Sequence, residues 1–316
     1  GAKPTFGARA KRHCSRFWWA WLIVFAIVVL VVVLPIIYVA YPNIAQRDTN
    51  RSTLEIVEQQ TLDPKPNSIR MVMHSKAYNP GDHHPQFDAF NASLFLEDTL
   101  PDIKPFGYIT IPPVKANAEA DIYVDQVMEI VDMEQWTAFN KRVVLSEELR
   151  LAIRGKPKLK QGGLPKTTVN YNKVTTIKGL NGLKGLELAN TPRILLIPED
   201  DGSNMLGNIS IPNPSVFDIT LGNVTLDLSV DGQPIGTSLI PNMRLRQGDN
   251  IFEMRAKANQ SIVLGLIRGG PYSNGILPVD VLGREVVNED GDRLPYFEAA
   301  LKAHALRLDV NVGEAL

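Results

Sequence analysis

The sequence predicts an all-β protein behind one membrane anchor. It reads as a single N-terminal transmembrane helix followed by two tandem antiparallel β-sandwich domains, each with a short helix. Three observations predict this. One uncharged apolar run lies near the N-terminus. The rest of the chain is built of short alternating segments broken by Gly, Pro and Asn, with no long amphipathic helical period. Five segments of the first half recur in order in the second, at a nearly constant offset.

The apolar run comes first. No charged residue occurs between Phe17 and Gln46, and nearly every side chain from Phe17 to Tyr41 is apolar. Twenty-five helical residues reach roughly 37 Å, enough to cross a ~30 Å hydrocarbon core with some tilt. Trp18, Trp19 and Trp21 stand at one end, Tyr38 and Tyr41 at the other, as aromatic belts at two interfaces. A signal peptide would carry a shorter apolar region closed by a small-residue cleavage site, and no such site comes cleanly after the run. The flanks set the orientation. Lys3, Arg9, Lys11, Arg12 and Arg16 precede the run without an acid, so residues 1–16 read as a cytosolic basic tail and 17–41 as the span. Residues 42–316 then lie on the far side, in a lumen, with 42–65 as a juxtamembrane linker. Cys14 is a candidate palmitoylation site, and an idle thiol explains it equally well.

Five N-x-S/T sequons support that orientation. Asn50, Asn91, Asn208, Asn223 and Asn259 all lie after the span and none precedes it, so they are candidate N-glycosylation sites.

The repeat organises the remainder. Asn79-Pro80 recurs as Asn213-Pro214, and Asn91-Ala-Ser-Leu-Phe-Leu as Asn223-Val-Thr-Leu-Asp-Leu. Phe106-Gly-Tyr-Ile-Thr-Ile-Pro matches Ile235-Gly-Thr-Ser-Leu-Ile-Pro. Asp121-Ile-Tyr-Val-Asp matches Asn250-Ile-Phe-Glu-Met, and the segment from Leu149 matches the one from Leu277. The offsets are 134, 132, 129, 129 and 128 residues. A duplicated domain drifting by small deletions produces such a series. Residues 66–185 then form a first sandwich and 186–316 a second, with the boundary in the glycine-containing stretch Thr176–Pro192. Leu226–Val230 alternates and runs into Asp231-Gly232, a hairpin signal. Met133–Val144 places Trp136, Phe139 and Val143 on one helical face, and Pro295–Ala305 opens with a helix-starting proline.

Chemistry is sparse. With 33 basic and 34 acidic residues, no broad basic field exists to hold nucleic acid. One cysteine excludes a disulfide scaffold and a cysteine-built zinc site. His83 and His84 with Asp82 and Asp88 have metal-ligand types, but adjacent His side chains diverge, so a polar loop is the plainer reading. The basic stretch Arg154–Gly163 lacks the phosphate-cradling G-x-x-x-x-G-K-[ST] spacing. It reads as a strand-end turn, with a basic rim near anionic headgroups as the functional alternative. No nucleophile elbow, paired acid/base carboxylates or cofactor motif is found, so no cofactor and no enzyme activity are expected.

A resemblance adds to this. Ile209-Ser-Ile-Pro-Asn-Pro-Ser, Leu221-Gly-Asn-Val, Gly232-Gln-Pro-Ile-Gly236 and Arg246-Gln-Gly-Asp-Asn250 resemble the late-embryogenesis-abundant type 2 (WHy) domain. The chain as a whole is similar to a fungal family, domain of unknown function 3712, whose members are single-pass proteins with tandem domains of this type. The resemblance covers about residues 10–310 and is best at 190–310. It implies a seven-stranded antiparallel sandwich with a short helix, twice. It also implies a vacuolar or related endomembrane location and a lipid-binding groove between sheets. It defines no catalytic residue.

The expected function is therefore that of a membrane-anchored lumenal binding or regulatory protein with a lipid ligand. Ile69, Val72, Phe106, Ile109 and Ile111 of the first sandwich are the candidate groove residues. The alternative is a glycosylated structural or protein-interaction subunit of a membrane or cell-surface assembly.

Overall fold

In the computed structural model of the chain, residues 18–81 and 83–313 are described. The basic tail, Cys14 and Phe17 lie outside them. A helical stretch of 34 residues, Trp18–Arg51, leads the structure. Among the described residues it is the one helix long and apolar enough to cross a membrane, and its apolar window is entirely unburied. It has three parts. α1 (Trp18–Pro35) is the apolar run. Pro35 has no N–H to return to the preceding turn, and the chain beyond it widens to a π turn over Ile36–Ala40. α2 (Tyr41–Arg51) continues at once and is amphipathic, burying Tyr41, Ala45 and Thr49 at i, i+4, i+8.

The first unit contains β1 (Thr53–Leu62), β2 (Ser68–Tyr78), β3 (Gln86–Phe87), β4 (Phe90–Leu96), β5 (Gly107–Ile111), β6 (Val114–Lys115) and β7 (Glu119–Glu129). α3 (Met133–Leu145), β8 (Glu148–Gly155), β9 (Lys158–Lys160), β10 (Thr167–Thr168) and β11 (Tyr171–Lys178) complete it. β1, β2 and β7 form one layer and β11-β8-β4-β5 the other. A small sheet, β10-β9-β3-β6, carries α2, whose Tyr41 and Ala45 pack on Leu159 and Val169.

Residues 42–65, expected as a linker, are instead α2 and β1. The buried face of β1 presents Ile56, then the polar Gln59 and Thr61. A bulge between Ile56 and Glu58 shifts its phase. Both features hide the apolar alternation that would have announced a strand.

The second unit contains β12 (Glu187–Leu188), β13 (Arg193–Ile194), β14 (Met205–Asn213), β15 (Phe217–Val230), β16 (Gln233–Leu245) and β17 (Gly248–Ala258). α4 (Gln260–Ile267), β18 (Ile276–Val287), α5 (Pro295–Leu301) and β19 (Leu306–Asn311) close it. Asp231 and Gly232 form the expected hairpin tip. Both have positive φ, 49° and 79°, which Gly adopts without a Cβ clash.

The pairing pattern repeats between units. β2 pairs with β7 as β14 pairs with β17. β4 pairs with β5 and β8 as β15 pairs with β16 and β18. β8 pairs with β11 as β18 pairs with β19. The asparagines that precede Pro80 and Pro214 do the same work in each. Asn79 donates to the His83 carbonyl and accepts from Gly81 N–H; Asn213 donates to the Phe217 carbonyl and accepts from Ser215 N–H. Each side chain closes its own turn.

The two units share a sheet. Gln59–Thr61 of β1 run parallel to Phe217–Ile219 of β15, which joins the β1, β2 and β7 layer to the strands of the second unit in one 11-stranded sheet. Asn288 and Tyr296 of the second unit donate to the carbonyls of Pro64 and Lys65, each at 2.9 Å. α3 closes the same junction, with Trp136 against Tyr296 and Phe139 against Phe217. One apolar core runs through both units.

Candidate functional site: an apolar cavity in the second unit

The two repeats differ in the helix that succeeds β7 in one and β17 in the other. Both helices are capped alike: Asp132 accepts from Gln135 N–H, and Asn259 from Ile262 N–H. Counting from the caps, Trp136 corresponds to Val263 and Phe139 to Leu266. In the first unit Trp136, Phe139 and Val143 are buried, and Trp136 and Phe139 pack against Phe106 with tilted rings. Packing there is tight enough that a Cβ on Gly107 would meet Met128 Sδ at 2.4 Å. In the second unit α4 buries no residue. Smaller side chains on a shorter helix leave the space between the sheets unfilled.

The result is a cavity of about 240 Å³. Its walls include Leu226, Leu228, Val279, Val281, Val263 and Leu308. Asn204, a polar residue in the wall, exchanges two 2.8 Å hydrogen bonds with the Ala258 backbone and has its amide satisfied. An interior of that kind stays dry and accepts hydrocarbon.

The mouth lies between α4 and the β13–β14 hairpin. That hairpin is ordered: Leu195 N–H bonds the Asn204 carbonyl and Glu199 N–H the Ser203 carbonyl, both at 2.8 Å. On it Leu196 is 98% exposed and Ile197 85%. Asp201 accepts from the backbone and hydroxyl of Ser203, which holds its carboxyl below the usual range. Arg255 pairs with Glu199 at 2.9 Å. Arg268, at the mouth, is exposed and forms no ion pair among the described residues, while the hairpin itself carries the exposed Asp200 and Asp201.

The structure does not bring the five expected groove residues together. Ile69, Phe106 and Ile109 are sealed in the first core. Val72 points to the opposite face of β2 from Ile69, since strand neighbours alternate and the two are three apart. Ile111 alone of the five reaches a cleft, a small one of about 60 Å³ between α2 and the first unit. Sequence reasoning missed the cavity because an unfilled space is a property of what α4 lacks. Nor do the sequence offsets of 129 and 128 set Trp136 against Val263; only the two caps do.

The other candidates disperse. His83 turns to Asp48, His84 to the Ala116 carbonyl and Asp88 to Lys166, while Asp82 lies outside the described residues. No group of three or more metal-ligand side chains occurs among the described residues. Asn50, Asn91 and Asn259 are exposed, Asn208 and Asn223 half-buried. Asn50, Asn91, Asn223 and Asn259 use the side-chain oxygen as acceptor, from Gln46, Thr110, Asn242 and Ile262. The basic stretch forms β9, with exposed Lys158 and Lys160 beside Leu159, which packs on α2 near Tyr41.

No curated protein sequence matches the chain. Among solved structures it is similar to a bacterial adhesin from Mobiluncus mulieris with intramolecular disulfide, isopeptide and ester bond cross-links. Identity is 10% over 73% of this chain and 80% of that one, with a TM-score of 0.21. The periplasmic chaperone SfaE is 11% identical over 82% of this chain and 100% of that one, TM-score 0.18. Red sea bream transglutaminase is 12% identical over 81% of this chain and 31% of that one, TM-score 0.23. These scores lie too low to carry an argument. Over residues 104–228, from just before β5 almost to the end of β15, the chain matches the model of the family described as a protein of unknown function (DUF3712).

Proposed function

We propose that the chain is a single-pass membrane protein whose β-rich region lies on the lumenal side and binds a lipid chain in the cavity of its second unit. Binding rather than catalysis is its role. The observation that carries this is the cavity itself: walled mainly by apolar side chains, with the Asn204 amide satisfied and the exposed Arg268 at its rim. Its volume suits one aliphatic chain better than a bulky ring system, which needs a site toward the upper part of the usual ~300–1,000 Å³ range. The apolar helix supports the anchor, and the acid-free basic tail before it supports the orientation. The family resemblance and the five sequons support a vacuolar or related endomembrane location and N-glycans.

The test is photo-crosslinking of the full chain in liposomes that contain a phospholipid with a photoactivatable acyl chain. Adducts mapped by mass spectrometry are expected on Leu228, Val263 and Val279 as well as on α1. Adducts confined to residues 18–41 would sink the reading.

A further inference from the structure

The cavity of the second unit is charged at one point. Among the described residues that line it, Arg268 alone carries a charge. Helical spacing puts it there. Gln260, Leu264 and Arg268 stand at i, i+4 and i+8, and the Arg268 N–H still bonds the Leu264 carbonyl at 2.8 Å. The stripe of α4 that faces the cavity is therefore apolar in its middle and ends in a guanidinium. That guanidinium has no ion pair and no hydrogen bond among the described residues.

The charges nearby do not cancel it. β17 lines the cavity with Met254 and Ala258, so strand alternation turns Arg255 and Lys257 to the opposite face of the sheet. Two acids of the β13–β14 hairpin are held toward that opposite face. Glu199 pairs with Arg255 at 2.9 Å. Asp201, kept low first by the Ser203 backbone and hydroxyl, is lowered further by Lys257 and Arg255. Asp200 is exposed at the hairpin tip and lines no part of the cavity. Arg193, Asp280, Arg307 and Asp309 each sit next to a lining residue on a strand, and alternation points them outward.

We infer that the ligand of this cavity is a long-chain fatty acid, with its hydrocarbon tail inside and its carboxylate on the Arg268 guanidinium. This rests on the lipid reading of the cavity and adds a head group to it. A space of about 240 Å³ admits one chain and not two. A carboxylate matches a single guanidinium in charge and meets it through two parallel N–H···O bonds. A phosphate monoester carries about −1.5 to −2, and would bring charge that a rim with one cation leaves unmatched. An uncharged alcohol of the same length fills the cavity equally well and forgoes the ion pair.

The experiment uses the full chain in phosphatidylcholine liposomes at about pH 9, where a carboxyl at a bilayer surface is ionised. Hexadecanoic acid with a diazirine in its chain, or the matched alcohol, is added at equal mole fraction and irradiated. Adducts on Leu228, Val263 and Val279 are read by mass spectrometry. Wild type is expected to take several-fold more acid than alcohol. R268Q is expected to bring the ratio to about one by lowering the acid label, and its retained alcohol label reports an intact cavity. R268K is expected to recover part of the ratio, since an ammonium keeps the charge and lacks the fork. R193Q is expected to leave it unchanged. Equal labelling by acid and alcohol in wild type overturns the head-group assignment and leaves the cavity reading standing. So does an unchanged ratio in R268Q, or a loss in R193Q as large as in R268Q, which marks diffuse surface charge. No cavity adduct with either probe overturns this inference and the lipid reading together.

Discussion

Lys173 donates to the backbone carbonyl of Thr49 at 2.5 Å, across 124 residues of chain, and also to that of Ser52. A buried ammonium thus closes the C-terminal turn of α2. Gln46 adds a reciprocal pair of bonds with the Asn170 backbone, at 2.7 and 2.9 Å. The helix dipole favours a cation at this end.

Burial lowers the Lys173 ammonium to about 8 from its ordinary 10.5. Between those values the unfolded chain keeps a proton that the folded chain has released. The contribution of Lys173 to stability is therefore least favourable below about pH 8 and improves as pH rises through about 8 toward 10.5. K173M is expected to abolish that slope. It also leaves two helix-terminal carbonyls without their donor, a loss of ~1–3 kcal/mol. Hydrogen exchange of α2 amides against pH, wild type beside variant, checks both.

Filling the cavity should stabilise the second unit. Val263→Trp restores the residue type that the first repeat has at this place. The expected outcome is a rise in Tm of a few degrees with loss of acyl-chain crosslinking. A fall in Tm would show that the walls cannot accept the ring.

The reciprocal change opens the first unit. Trp136→Val removes the ring that packs on Phe106, Phe139 and Tyr296. A cost of about 3 kcal/mol is expected, read by denaturant unfolding. New acyl-chain adducts around Phe106 would accompany it.

The paired turn asparagines should separate by burial. Asn213 is 2% exposed and bonds the Phe217 and Leu245 carbonyls, whereas the corresponding Asn79 lies nearer solvent. Asn213→Ala is expected to cost ~2–3 kcal/mol and Asn79→Ala ~1 kcal/mol. Equal losses would count against burial as the cause.

Glycan occupancy should track exposure. Asn91 and Asn259 are exposed, and the side-chain oxygen accepts in each, a bond that attachment at nitrogen preserves. Full occupancy is expected there and partial occupancy at half-buried Asn208 and Asn223, read by site-by-site glycopeptide mass spectrometry. Chain from cells that shows no mass shift on deglycosylation would contradict the lumenal orientation.

Legibility in the sequence depends on the kind of signal each element carries. The apolar helix, the Asp231-Gly232 hairpin and the helix around Trp136 rest on local patterns and are readable. So is the repeat, because Asn79 and Asn213 close their turns by the same bonds. β1 is not, since Gln59 and Thr61 occupy its inner face. Nor is α4, whose Gln260–Ile267 sequence mixes β-branched residues and glycine with no amphipathic stripe. The first-unit groove is expected from apolar strands, but those strands are apolar because they fill a closed core. Apolar pattern reports burial. It does not report whether anything is left empty.

The parallel pairing of β1 with β15 has a mechanical consequence. A pull on the Val230 end of β15 runs along that strand and reaches β1 through Gln59–Thr61 paired with Phe217–Ile219, with the bonds from Asn288 and Tyr296 alongside. Load along parallel strands shears these bonds together and does not unzip them one by one. Tension then passes through the Lys173 clasp to α2 and α1, along a load path that contains no free linker among the described residues.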